Sequence, residues 1–167
     1  DRARMTRLIE IVQAGSQGEI AVVTLADLEG RDVNEVALRI AREWGVGAKA
    51  DIGDRARNAG VVVLLVPRAT SGEGRGYIRI EVGQGAEGFI TDGQTGDMIR
   101  EATPLLAEAA YGPGLTLITA RLADILAMLT EAGHTERIAD LDPEDVRQAM
   151  PAILATIATT LDYRPSD

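Results

Sequence analysis

The sequence predicts an α/β fold, a small mixed sheet sandwiched between helices in the order α-β-α-β-β and then helices. Three observations point there. Two short apolar runs, Glu19 to Leu25 and Val61 to Val66, are β-branched and continuous, as strands covered on both faces are. Between them Val33, Val36, Ala37, Ile40, Ala41 and Trp44 recur at helical spacing, which makes a right-handed crossover and two parallel strands. The turn-rich stretch Arg68 to Gly76 then forms a hairpin into a third, antiparallel strand. There Ile78, Ile80 and Val82 alternate with Tyr77, Arg79 and Glu81.

The remaining elements follow along the chain. Met5, Leu8, Ile9 and Val12 mark a first helix, which Gly15-Ser16-Gln17-Gly18 ends. Asp32 with Glu35 three residues later has the form of a capping box for the second helix. Trp44 falls in that helix's apolar stripe and reads as core, and Gly45-Val46-Gly47 stops the helix. A polar loop, Ala48 to Ala59, precedes the second strand, which Pro67 halts. After Asp92 the chain is helical almost to its end. Ile99, Ala102, Leu105, Leu106 and Ala109 form one stripe, in which Pro104 should kink or split the helix. Leu115, Ile118, Leu122, Ile125, Leu126 and Leu129 form the next. Asp142-Pro143-Glu144 has an N-cap and a proline at the first helical position, opening a last helix that Pro151 bends. The expected organisation is an α/β domain over residues 1–133 and a helical extension over 134–167 packed on it.

Composition removes several classes of function. Hydrophobic residues make up 46% and charged residues 26% of 167, a globular balance with enough chain for a core. The net charge of −9 opposes nucleic-acid binding, which needs clustered positive charge. No cysteine is present, so disulfides, zinc–thiolate sites and thiol nucleophiles are excluded. No apolar run is long enough to span a bilayer.

The topology gathers particular loops. The start of strand one (Gly18, Glu19), the start of strand two (Asn58, Gly60) and the end of strand three (Gly83 to Glu87) share one edge. Asp51, Asp54, Glu87 and Asp92 can converge on that rim, and such hard oxygen ligands suit calcium or magnesium. Asp92, followed by Gly93, can equally cap the helix it precedes. Gly83, Gly85 and Gly88 spell G-x-G-x-x-G, but they follow an antiparallel strand and Phe89-Ile90-Thr91-Asp92 separates them from the next helix. A nucleotide site needs a parallel strand before and a helix directly after, so none is expected. His134, the one histidine, falls in a polar turn between helices, and no Ser-His-Asp constellation is available.

One pattern resembles a known family. Trp44-Gly45-Val46-Gly47, Asn58-Ala59-Gly60 with the strand after it, Arg79-Ile80-Glu81-Val82-Gly83-Gln84-Gly85-Ala86-Glu87-Gly88, Asp92, and Tyr111-Gly112-Pro113-Gly114-Leu115 together resemble the TPM domain, in that family's order and spacing, over roughly Gly18 to Leu129. The resemblance implies a Rossmann-like sheet sandwiched by helices, in an exported or membrane-tethered module. It implies bound calcium or magnesium in bacterial members and an acid phosphatase in the plant member of the thylakoid lumen. Where the family commonly has Asp-Asn-Gly this chain has Asn58-Ala59-Gly60, which removes one carboxylate but keeps a carbonyl ligand. The family's leader segment and anchor are not in this sequence, so a soluble domain excised from a longer, membrane-anchored precursor is expected, in the periplasm or at the cell surface.

Two functions are compatible with these residues. One is a divalent-cation-binding accessory module for an unidentified protein partner, with Glu87, Asp92, Asp54 and Asn58 holding the ion weakly. The other is a metal-assisted phosphomonoesterase using Glu87, Asp92 and Asp54, with Arg57 and Lys49 clamping phosphate. The tail gives a separate expectation. Val146, Met150, Ile153, Leu154, Ile157 and Leu161 are six large apolar side chains, each contributing roughly 1.5–3 kcal/mol if buried. Deleting residues 143–167 should therefore lower Tm by several degrees and leave cation binding intact. An unchanged Tm would show that the stripe packs on nothing.

Overall fold

The structure, a computed structural model, describes the backbone of residues 1–16, 18–47 and 59–138, with side chains except at 15, 16 and 127–138. Among the described residues there are seven elements: α1 (Arg2–Ser16), β1 (Glu19–Thr24), α2 (Val33–Glu43), β2 (Gly60–Val66), β3 (Tyr77–Val82), α3 (Asp92–Ala107) and α4 (Tyr111–Ile138). The sheet has the order β1-β2-β3, with β1 parallel and β3 antiparallel to β2. Both pairings agree with the crossover and the hairpin read from the sequence.

All seven residues of β2 are buried. Their alternation divides the core in two. Val61, Val63 and Leu65 face Val12 of α1, Met98 and Ala102 of α3, and Leu115, Ile118, Leu122 and Leu126 of α4. Val62, Leu64 and Val66 face Val36, Ala37 and Ile40 of α2, together with Leu28. Helices on both faces explain why β2 reads as an unbroken apolar run rather than an alternating one. Contacts group Asp1–Thr130 into one unit and Glu131–Asp167 into another.

Four expectations change. Trp44 is 63% exposed, not core. It is the C-cap of α2, and Gly45, at φ 63°, turns the chain so that Val46 packs against the core in its place. Pro104 does not split α3, which continues to Ala107. The proline sits near the helix end, where few residues depend on a continued ladder, and the Thr103 hydroxyl donates to the Ile99 carbonyl at 2.6 Å. In the stripe of α3, Ala102 is buried and Ile99 and Leu106 pack against the core as expected, joined by Thr95 and Met98, whereas Ala109 is exposed with φ 60° just past the helix end. His134 falls within α4 rather than in a turn, because one glycine at 133 costs a helix only about 1 kcal/mol. The helix expected from Asp142 onward lies outside the described residues.

One half-buried acid on α4 gives a pH signature. Burial pushes the Asp124 carboxyl above its ordinary value of 3.8, and nearby Arg121 opposes the shift. The folded chain thus holds that proton more tightly than the unfolded one, and stability falls as pH rises through the raised pKa. Asp124→Asn should raise Tm at neutral pH. Well below pH 3.8, where both states are protonated, it should change nothing. Thermal melts at the two pH values check this, and an equal shift at both would contradict it.

Candidate functional site

The rim expected at one end of the sheet is built by backbone contacts. Glu19 at the start of β1 lies in register with Gly60 at the start of β2, and the Glu19 N–H donates to the Ala59 carbonyl at 3.1 Å. The Gly83 N–H, just past β3, donates to the Gly60 carbonyl at 2.7 Å. Three chain segments therefore meet at Gly60. A fourth is the turn after α2. Gly47 has φ +79°, and a Cβ there would lie 2.2 Å from the Gly60 nitrogen. A Cβ on Gly60 would lie 2.3 Å from the Val46 carbonyl oxygen. Two backbones cross where only glycine fits both. The Glu19 carboxylate fastens the crossing by accepting from the Gly47 N–H at 2.9 Å.

The loop after β3 is wound into a turn. The Ala86 N–H donates to the Gly83 carbonyl at 2.8 Å, and Phe89 and Ile90 donate to the Ala86 carbonyl at 3.0 and 2.8 Å. Ala86 and Ile90 are buried and anchor the loop, which leaves Glu87 exposed. Gly88 has nothing within 4 Å of a Cβ position, so its place in G-x-G-x-x-G answers no packing need in the fold. Thr91, not Asp92, caps α3: its side chain accepts from the Gln94 N–H, and the Gln94 side chain accepts from the Thr91 N–H at 2.8 Å. Asp92 follows as the first helical residue, exposed, at the end where the helix dipole favours negative charge.

Glu87 thus lies on the anchored loop beside Gly60 and Asp92 at the start of the helix that follows, and neither side chain has an ion pair or hydrogen bond among the described residues. Asp54 and Asn58, the other expected ligands, lie outside the described residues, as do Asp51, Lys49 and Arg57. Among the described residues no three histidine, cysteine, aspartate or glutamate side chains come together. Two carboxylates by themselves do not make a calcium site.

Several rim features escape sequence reasoning. Glu19 opens an apolar strand, and nothing in its spacing reveals that it holds Gly47. Phe89 and Trp44, the single Phe and single Trp of the chain, are 45% and 63% exposed on segments that lead to this end. At the other end of the sheet the Asp27 carboxylate accepts from the N–H groups of Gly72 and Glu29, which hold it below its ordinary pKa. That contact ties the β1–α2 loop to the β2–β3 hairpin. A shallow depression of about 830 Å³ follows α1 and is lined by Arg2, Thr6, Arg7, Glu10 and Ile11 among others.

A model of the family described as the TPM domain matches residues 1–125. The chain is also similar to the N-terminal domain of a protein from P. gingivalis, solved by solution NMR. The two share 25% identity with a TM-score of 0.62, and the alignment covers 78% of each chain. No protein of curated function matches the chain.

The crossing at Gly60 makes a contrast that stability measurements can check. Gly60→Ala should cost at least about 1–3 kcal/mol, because the obstructing atom is backbone and cannot swing aside. Gly88→Ala should be neutral or stabilising by up to about 1 kcal/mol, since the added methyl meets open space and the unfolded chain loses freedom. Equal losses at the two positions would show that the rim is not organised by the crossing.

Proposed function

The chain belongs to the TPM domain family, and from that premise we propose that it is a divalent-cation-binding accessory module, working outside the cytoplasm in the assembly or quality control of partner proteins. The observation that carries the reading is the placement of Glu87 and Asp92. Glu87 is exposed on the loop anchored to Gly60 and Asp92 on the first turn of the helix that follows it, with no competing ion pair among the described residues. Hard anionic oxygens on a fixed backbone favour calcium or magnesium over softer metals. Glu87 and Asp92 would supply anionic oxygens, Asp54 a third, and Asn58 a neutral carbonyl. That donor set carries fewer charges than a high-affinity site, so Kd is expected on the order of 10⁻⁴ to 10⁻³ M. An ion held there would neutralise the loop acids, which gives the partner a less repulsive surface. No described helix is long and apolar enough to cross a membrane.

Phosphomonoester hydrolysis is less well supported. It would need a nucleophile or metal-bound water with a base in hydrogen-bond reach. The hydroxyl that adjoins the rim acids, Thr91 Oγ1, is engaged at 3.1 Å with Gln94 as a helix cap.

Two measurements test the proposal. Calcium added to the labelled protein should shift the amide resonances of residues 51–58 and 83–92, and Glu87→Gln should weaken that response several-fold. Shifts confined elsewhere would remove the site. Turnover of a chromogenic phosphate ester, with or without magnesium, should stay at background. Activity that Glu87→Gln abolishes would replace the accessory reading with the phosphatase.

A further inference from the structure

Among the described residues strand β3 is an edge of the sheet, and its pairing with β2 determines which of its backbone groups are left over. The Gly83 N–H bonds to Gly60, so the alternate residues Glu81, Arg79 and Tyr77 exchange hydrogen bonds with Val62, Leu64 and Val66. The N–H and C=O groups of Ile78, Ile80 and Val82 therefore point away from the sheet. Among the described residues they have no hydrogen-bond partner. On the face toward α2, Arg79 and Glu81 sit two residues apart and bond at 2.8 Å. The Arg79 Nε is buried and, among the described residues, has no hydrogen-bond partner.

We infer that β3 pairs antiparallel with β3 of a second copy, the two-fold axis passing at Ile80, to form a continuous six-stranded sheet. The pattern is self-complementary only in this register. With Ile80 opposite Ile80 of the partner subunit, Ile78 lies opposite Val82 of the partner subunit, and all three outward residues exchange both backbone bonds. Arg79 then lies across from Glu81 of the partner subunit, and Glu81 from Arg79 of the partner subunit. Both contacts fall at non-hydrogen-bonded positions, where side chains approach most closely. Two arginines and two glutamates alternate around the axis, which offers the orphaned Nε a carboxylate. A register one residue away sets unlike faces against each other.

The other sheet edge lacks this match. Antiparallel self-pairing of β1 about Val22 would place Glu19 opposite Leu25 and offers no charge pair. A contact of two six-residue strands is small, so the association is reversible and depends on concentration. Its cross-strand ion pairs also make it weaken with salt. This inference is independent of cation binding at the rim.

Sedimentation equilibrium of the full chain over a concentration series should give a mass rising from 17.7 kDa toward twice that value. Glu81→Arg places arginine against arginine across the axis, and Arg79→Glu places glutamate against glutamate. Each variant should stay monomeric where the unaltered chain is a dimer. An equimolar mixture of the two variants should recover the dimer, as a heterodimer. The double exchange Arg79→Glu with Glu81→Arg keeps the in-strand pair as well as the cross-strand pairs, and should dimerise like the unaltered chain even if a single variant folds poorly. A chain that is monomeric throughout overturns the inference. So does dimerisation undiminished in a single variant, or a double exchange that folds and stays monomeric.

Discussion

Strand β2 must be kept from water on both faces, and most of the architecture follows from that requirement. Seven buried residues in a central strand leave no surface for solvent, so one helix has to cover Val62, Leu64 and Val66, and others have to cover Val61, Val63 and Leu65. Each fully buried valine or leucine adds roughly 1.5–3 kcal/mol, and the backbone of β2 is satisfied only if β1 and β3 flank it. The crossover through α2 and the hairpin into β3 are the short connections that provide both flanks. Among the described residues the sheet has three strands and so two edges, β1 and β3.

The same strand also organises the rim. Gly60 opens β2 and accepts the Gly83 N–H, while Gly47 crosses directly over it. The core thereby sets the position of the loop that carries Glu87 and leads to Asp92, through the hydrogen bond from Gly83 to Gly60 and the burial of Ala86 and Ile90. Function on a loop positioned by a rigid scaffold is a common arrangement, since the scaffold supplies geometry and the loop supplies exposed chemistry. Glu19 contributes to that geometry although it is a carboxylate. Its charge is directed to a backbone N–H rather than toward solvent.

The edge formed by β3 shows two opposed uses of charge. Charged residues on a short edge strand ordinarily discourage pairing with other chains. Arg79 and Glu81, spaced two apart on one face, repel most registers yet complement themselves in one antiparallel arrangement. The same pair can therefore exclude unspecific strand addition and select a second copy of this chain.

Periodicity and turn chemistry determined the element order, the parallel and antiparallel pairings and the helix faces around Val36, Ala37 and Ile40, because these depend on neighbours within a few residues. They also placed Glu19, Gly60 and Gly83 at one end of the sheet, since strand direction alone decides that. Contacts between distant segments decided the rest. Trp44 follows the apolar period of α2 and is nevertheless exposed, because Gly45 turns the chain and Val46 fills the space against the core. Thr91 rather than Asp92 caps α3, because buried Ile90 fixes where the helix can begin. The need for glycine at 47 and 60 comes from two backbones that meet across thirteen residues of sequence, a distance no local pattern records. A sequence carries the preferences of each segment, whereas exclusion between segments exists only once they are packed.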